Sequence, residues 1–196
     1  MKKIILILIA GVCLQSAEID TLWVNTIESK IEWVGRKITG EHNGNLSIAG
    51  GFLEIRNDSL IGGEILVNMQ SITVLDIESP KWNKKLVDHL KSSDFFNTTE
   101  FPTARIEIIH SSPIPKKESK NPVKVSGKLD IKGIVNPINI NTFAVVNDSI
   151  RFAKGTLEID RTKWNIRYGS TSFFDDLGDK AILDIFLLNY SLSIYK

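Results

Sequence analysis

Cys13 is the one cysteine in 196 residues. It lies in an apolar leader, so the chain that remains once such a leader is removed has no thiol, which excludes disulfides and thiol catalysis. An excess of one charge sign is missing too. The 24 Lys and Arg residues face 23 Asp and Glu, a formal net charge of +1. A nucleic-acid partner would call for a basic surplus to neutralise phosphates, so none is expected. Six prolines and 13 glycines exclude a collagen-like or low-complexity chain. The motifs of several common chemistries are also absent: no GxGxxG, P-loop, GxSxG or HExxH occurs. His42, His89 and His110 fall in separate segments without metal-ligand spacing, so no metal site is expected. Asp175, Asp176 and Asp179 share a Gly-containing loop and read as a solvated turn. No serine stands in a recognisable activating context for nucleophilic attack.

What is present begins with the leader. Lys2 and Lys3 precede nine residues without a polar side chain, Ile4 to Val12, and Leu14-Gln15-Ser16-Ala17 lead into Glu18. Basic, then apolar, then small is the order of a secretory signal, and the apolar run is too short to span a bilayer. The expectation is a signal peptide at 1–17, a domain at 18–196, export to the periplasm and no transmembrane span. Gln15 is large for its place before the cleavage site. The alternative is a lipid anchor on Cys13; Val12 disfavours it, because bacterial lipoprotein signals resemble one another in having Gly, Ala or Ser there.

Beyond the leader the dominant period is two. Lys30-Ile31-Glu32-Trp33 alternates, and so do Arg105-Ile106-Glu107-Ile108, Lys128-Leu129-Asp130-Ile131 and Thr156-Leu157-Glu158-Ile159. Leu53 with Ile55, Ile65 with Val67 and Ile138 with Ile140 extend the pattern. Eight or more such strands joined by turn residues predict an all-β antiparallel sheet, closed into a barrel or stacked as a sandwich. One stretch has helical spacing: Trp82 to Lys91 sets Leu86 and Leu90 four apart, after Pro80 and before Ser92-Ser93. Ser111 to Pro122, with three prolines and three lysines, reads as an exposed loop within one domain. Phe95, Phe96 and Phe101 crowd in just after the helix, and Trp33, Trp82 and Trp164 add bulk in or beside strands. Such side chains either fill a core or line a cavity, since an eight-stranded barrel does either.

An ordered set of short segments is more specific. His89-Leu90-Lys91-Ser92-Ser93-Asp94-Phe95-Phe96, followed by Phe101-Pro102-Thr103-Ala104, resembles the signature of the YceI-like family of polyisoprenoid-binding, lipocalin-like exported bacterial proteins. Gly40-Glu41-His42-Asn43-Gly44, Met69-Gln70-Ser71-Ile72 and Gly127 to Pro137 are similar to family segments in the same order. Asp160-Arg161-Thr162-Lys163-Trp164 and Tyr168-Gly169 fit a subset of the family. Val135-Asn136 departs from it, standing where members often have Thr and a basic residue. The resemblance runs from about Ser29 to Ile194. It implies an eight-stranded antiparallel barrel with an elongated apolar pocket for an isoprenoid or similar long-chain lipid, such as a quinone or a polyprenyl chain, and no enzymatic activity or other cofactor.

Strand parity then names the inward residues. They are Ile31, Trp33, Leu53, Ile55, Ile65 and Val67, then Ile106, Ile108, Leu129 and Ile131, then Ile138, Ile140, Leu157 and Ile159. The helix would close one barrel end with Leu86 and Leu90, and Phe95 and Phe96 would sit beside that mouth. The last strand, apolar on both faces around Ile185 to Leu188, has no assignable parity. Asp160 and Arg161 would pair inside the barrel or orient a head group, structural pairing being favoured. Two other functions are weighed against lipid binding: a packed barrel serving adhesion or assembly, and an enzyme acting on a lipid or amide with His42 or His89 as base. A homodimer is compatible with the sequence.

Overall fold

The alternating segments form an antiparallel meander that closes on itself. In the computed structural model, which describes residues 18–147 and 151–196, the strands are β1 (Asp20–Val24), β2 (Lys30–Lys37), β3 (Gly40–Arg56), β4 (Ser59–Asn68), β5 (Thr103–Ser111), β6 (Val123–Ile131), β7 (Ile134–Val146), β8 (Arg151–Asp160) and β9 (Ile185–Tyr195). One helix, α1 (Pro80–Lys91), lies between β4 and β5. The leader, with Cys13, falls outside the described residues. From β2 onward each strand pairs with the next, and β9 returns to β2. β1 and β2 share one position between β3 and β9, separated by a turn in which Asn25 Oδ1 accepts from the amides of Ile27 and Glu28. Nine segments therefore make an eight-position closed barrel, as the family resemblance implies, and closure removes the exposed sheet edge.

Two departures from simple alternation shape the wall. β3 carries an extra residue between Ile48 and Gly50, opposite Val67 and Leu66. This bulge switches the inward parity, so Leu46 and Ile48 are buried before it and Leu53 and Ile55 after it. It also lets the first half of β3 pair with β2 and the second half with β4. The edge that β4 leaves uncovered is taken by a strap at 71–76. Thr73 N donates to Asn45 O at 3.0 Å and Leu75 N to Asn43 O at 2.9 Å. Asp76 fixes the end of the strap, accepting from Asn43 N at 3.0 Å and meeting His42 Nδ1 at 2.7 Å. Burial alone would raise the Asp76 carboxyl, but the Asn43 amide and His42 outweigh it and hold the carboxyl below its ordinary value.

The strap lies directly over Gly44, where an added Cβ would come within 1.8 Å of Thr73 O. Backbone cannot yield as a side chain tip can. Gly44→Ala should therefore cost about 3 kcal/mol, the upper part of the overpacking range, measured as a lowered denaturant midpoint. An unchanged midpoint would show that the strap does not need this approach.

The second departure is a seam. β7 pairs with β8 only over Phe143–Val146, so the first half of β7 has β6 as its one strand neighbour. Pro137, which has no amide to donate, is tolerated there. The turn Arg161–Trp164 covers the seam: Trp164 Nε1 donates to Leu129 O at 3.1 Å, and Asn136 Nδ2 to Lys163 O at 3.0 Å.

Helix α1 begins with Pro80 at its first turn, where the missing amide costs nothing. Asn83 Nδ2 ties it to the strap through Val74 O and Ile77 O. Leu90 is buried and Leu86 half-buried against the core, so the helix covers one barrel end as expected. Trp82 corrects the expectation of a core residue. It is 54% exposed, with the Lys81 and Lys85 ammonium groups over its ring, although it stands one turn before Leu86 on the same side of the helix. Trp33 and Trp164 are buried.

Candidate functional site

Inward side chains of the barrel leave its axis open. The lumen consists of two apolar chambers that share Val67, Ile106 and Leu188 in their walls. Including their open parts they hold about 780 and 710 Å³ of atom-free space, and centres of a water-sized sphere range over about 90 Å³ in each. One water needs roughly 10–15 Å³ by that measure, so the side chains of this barrel do not fill it.

The outer chamber lies toward the helix. Of the residues expected from parity, Trp33, Leu90, Phe95, Phe96, Leu129, Ile131 and Ile159 line it. Ile31, Leu53, Ile65, Ile108, Ile140 and Leu157 line the deep chamber, and Val67 and Ile106 face both. Three expected residues lie elsewhere. Leu86 borders a third, wider space of about 870 Å³ that continues the outer chamber past Trp33, Leu90 and Phe95 to solvent. This is the mouth, and Arg36, Lys37, His42 and Lys180 stand around it with Asp179. Ile55 is buried in the core at the other end, where Leu22, Val24, Ile114, Ala144 and Ile194 plug the barrel. Ile138 is half-buried against the core and lines neither chamber, because it stands on the part of β7 beside the seam.

Parity along β9 is now fixed. Phe186, Leu188, Tyr190 and Leu192 face the lumen, and Ser191 and Tyr195 are exposed. The polar series Asn189, Ser191 and Ser193 carried this information in the sequence, although the apolar run before it did not. Leu46 was legible in the same way, as the residue alternating with Asn45 and Ser47. Ala104, Ile182 and Leu183 were not, since a small residue and a loop give no periodic signal.

Polar side chains are few. Arg161 borders the outer chamber and is 3% exposed. Its guanidinium donates to Leu183 O (3.2 Å), Ile166 O (2.9 Å), Tyr168 O (2.8 Å), Ile182 O (3.0 Å) and Asp184 Oδ1 (3.3 Å). Burial lowers its pKa, and Asp184 and then Asp160 push it back up. The expected Asp160–Arg161 pairing is thus corrected: Asp184 takes the ion pair, while Asp160 Oδ1 accepts from Thr162 N and Oγ1 and caps the turn. With its donors committed to the chain between β8 and β9, Arg161 is a clamp on the mouth rather than a free head-group ligand. Thr142 and Tyr190 are the polar side chains of the deep chamber.

The histidines do not converge. His42 is tied to Asp76 at the mouth, His110 is exposed on β5, and the His89 ring packs edge-on against Phe95 (4.9 Å) and Tyr168 (4.4 Å). Among the described residues no group of three or more His, Cys, Asp or Glu could hold a metal ion. Asp175, Asp176 and Asp179 are exposed, as a solvated turn should be.

A family model described as a YceI-like domain matches residues 23–188. The chain belongs to the YceI-like family. Solved structures with the same barrel include Burkholderia cenocepacia BcnA, 18% identical with a TM-score of 0.67 over 88% of this chain and 99% of that one. A polyisoprenoid binding domain from Saccharophagus degradans, implicated in plant cell wall breakdown, is 12% identical with a TM-score of 0.63 over 89% and 97%. The Campylobacter jejuni YceI protein is 13% identical with a TM-score of 0.52 over 100% and 99%. No curated protein matches. What these structures share with this YceI-like chain is the fold; the lumen residues above are its own. Among the described residues no helix is long and apolar enough to cross a membrane.

Proposed function

We propose that this YceI-like barrel is an exported, periplasmic binding protein that holds an isoprenoid-type chain, a quinone or a polyprenyl lipid, along its lumen. The observation that carries the reading is the pair of adjoining apolar chambers, which share three wall residues, with an open mouth at one end and a packed plug at the other. A long narrow space walled by carbon selects a long apolar guest. At about 0.8 kcal/mol per buried methylene, ten groups offer about 8 kcal/mol, enough to leave useful affinity after the cost of association. The printed description of the Saccharophagus degradans relative, a polyisoprenoid binding domain, supports the chemistry of the guest. The order of residues 1–17 supports export, with a Cys13 anchor as the alternative. Ligand contacts are assigned to the residues lining the two chambers, with Leu86 at the mouth. We read the role as binding rather than catalysis because, among the described residues, no histidine lines either chamber.

Uptake of prenyl alcohols of increasing length tests this. Affinity should rise about fourfold per added methylene-equivalent buried and level off once the chain fills both chambers. A length-independent affinity, or none, would leave a barrel that does not use its lumen.

A further inference from the structure

Tyr190 brings its phenol oxygen to the wall of the deep chamber, where Thr142 is the other polar side chain and no hydrogen bond to it forms at full geometry. Its ring reaches from β9 across Gly155, its cross-strand partner on β8, where a Cβ would come within 2.7 Å of the phenol oxygen. Glycine at 155 therefore makes the trough in which the ring lies. The Tyr190 Oη is buried and has no hydrogen-bond partner. Thr142 is the other polar side chain of the chamber wall, and its own hydroxyl donates to Lys154 O at 3.1 Å. Burial raises the Tyr190 pKa and Thr142 offsets this in part, so the phenol stays a neutral donor at ordinary pH.

A buried hydroxyl without a partner costs about 1–3 kcal/mol. Phenylalanine would fill the same trough without that cost, and the rest of the wall is built from carbon. The donor is thus unexplained by packing, and Tyr190 lines the space a guest would fill, with its oxygen buried in the chamber wall. A charged head group does not suit it. The cationic side chains Arg36, Lys37 and Lys180 stand at the mouth, away from the deep chamber, and the lumen's own Arg161 is fully engaged.

We propose that Tyr190 is a ligand-recognition residue, and that the guest enters with an uncharged acceptor oxygen leading, seated against the Tyr190 hydroxyl at the bottom of the lumen. The ligand class is a long apolar chain ending in a carbonyl, hydroxyl or amide oxygen. This rests on the lipid-binding reading and adds the chemistry and the direction of the guest.

Three probes of equal chain length separate the outcomes: geranylgeraniol, the same chain ending in methyl, and geranylgeranyl phosphate. Each competes with a fluorescent lipid for the intact protein and for Tyr190→Phe. The unaltered protein should prefer the alcohol over the hydrocarbon by about tenfold. Tyr190→Phe should erase that preference, leave the hydrocarbon within about twofold, and melt no lower than the parent when empty. Three results would overturn the proposal: an alcohol preference that survives in Tyr190→Phe, an equal loss for both neutral probes, or a preference for the phosphate that Tyr190→Phe leaves intact. Failure of all three probes on the unaltered protein would instead remove the lipid-binding reading, and this proposal with it.

Discussion

Leu188→Trp should abolish the uptake of long chains while leaving a folded barrel. Leu188 faces the junction of the two chambers, with Trp33 and Leu157 as its cross-strand neighbours. An indole there would fill the passage and deny a guest the deep chamber. Losing burial of about five methylenes at about 0.8 kcal/mol each gives about 4 kcal/mol, or roughly a thousandfold in affinity. Stability should suffer little, because the added volume enters free space rather than a packed core, which puts the cost near the low end of about 1–3 kcal/mol. Leu187→Trp is the control. Leu187 is the outward neighbour of Leu188 in β9, so the same chemical change on the other face should keep uptake within a few fold. Equal binding by both variants would mean that the guest lies outside the lumen.

Arg161→Met should be the most destabilising single change in the described chain. The guanidinium satisfies four backbone carbonyls and the Asp184 carboxylate from a site that is 3% exposed. Methionine keeps the volume and removes every donor, leaving those acceptors and a partly buried carboxylate unpaired. Breaking a buried pair in this way costs about 3–5 kcal/mol. Arg161→Lys should lose nearly as much, since a single ammonium cannot serve acceptors arrayed around a planar fork. The damage should also reach the lumen, because the clamped chain supplies Ile182 and Leu183 to the outer chamber. Denaturant unfolding and lipid uptake on the same samples check both. An Arg161→Met protein as stable as its parent would show that the clamp is dispensable.

The strands and their inward faces were readable from alternation because one face of nearly every strand is buried and the other is wet, the condition under which side-chain parity reports burial, whereas closure into a barrel was implied by the family resemblance. Ile31 with Trp33, Leu129 with Ile131 and Leu157 with Ile159 are buried as their patterns indicate. Parity cannot report depth, however. Ile55 and Leu53 share a face, yet Leu53 lines the deep chamber and Ile55 belongs to the plug beyond it, because plug and lumen differ along the axis, not across the wall. Non-local partners were equally hidden. Arg161 sits beside Asp160 in sequence, but the pairing acceptor is Asp184, delivered by a connection with no periodic signal. Tyr190 was invisible as a site for a different reason. Its surroundings depend on Gly155 and Thr142, which three strands bring together and no spacing reveals.

The most direct test of the central claim is native mass spectrometry of the protein purified from its native source, with organic extraction of whatever it carries. The account predicts a bound species of isoprenoid mass that leaves on extraction, in a one-to-one complex set by a single continuous lumen. A protein that arrives empty and takes up neither quinone nor polyprenyl chains on incubation would contradict it, and would favour a barrel that serves adhesion or assembly.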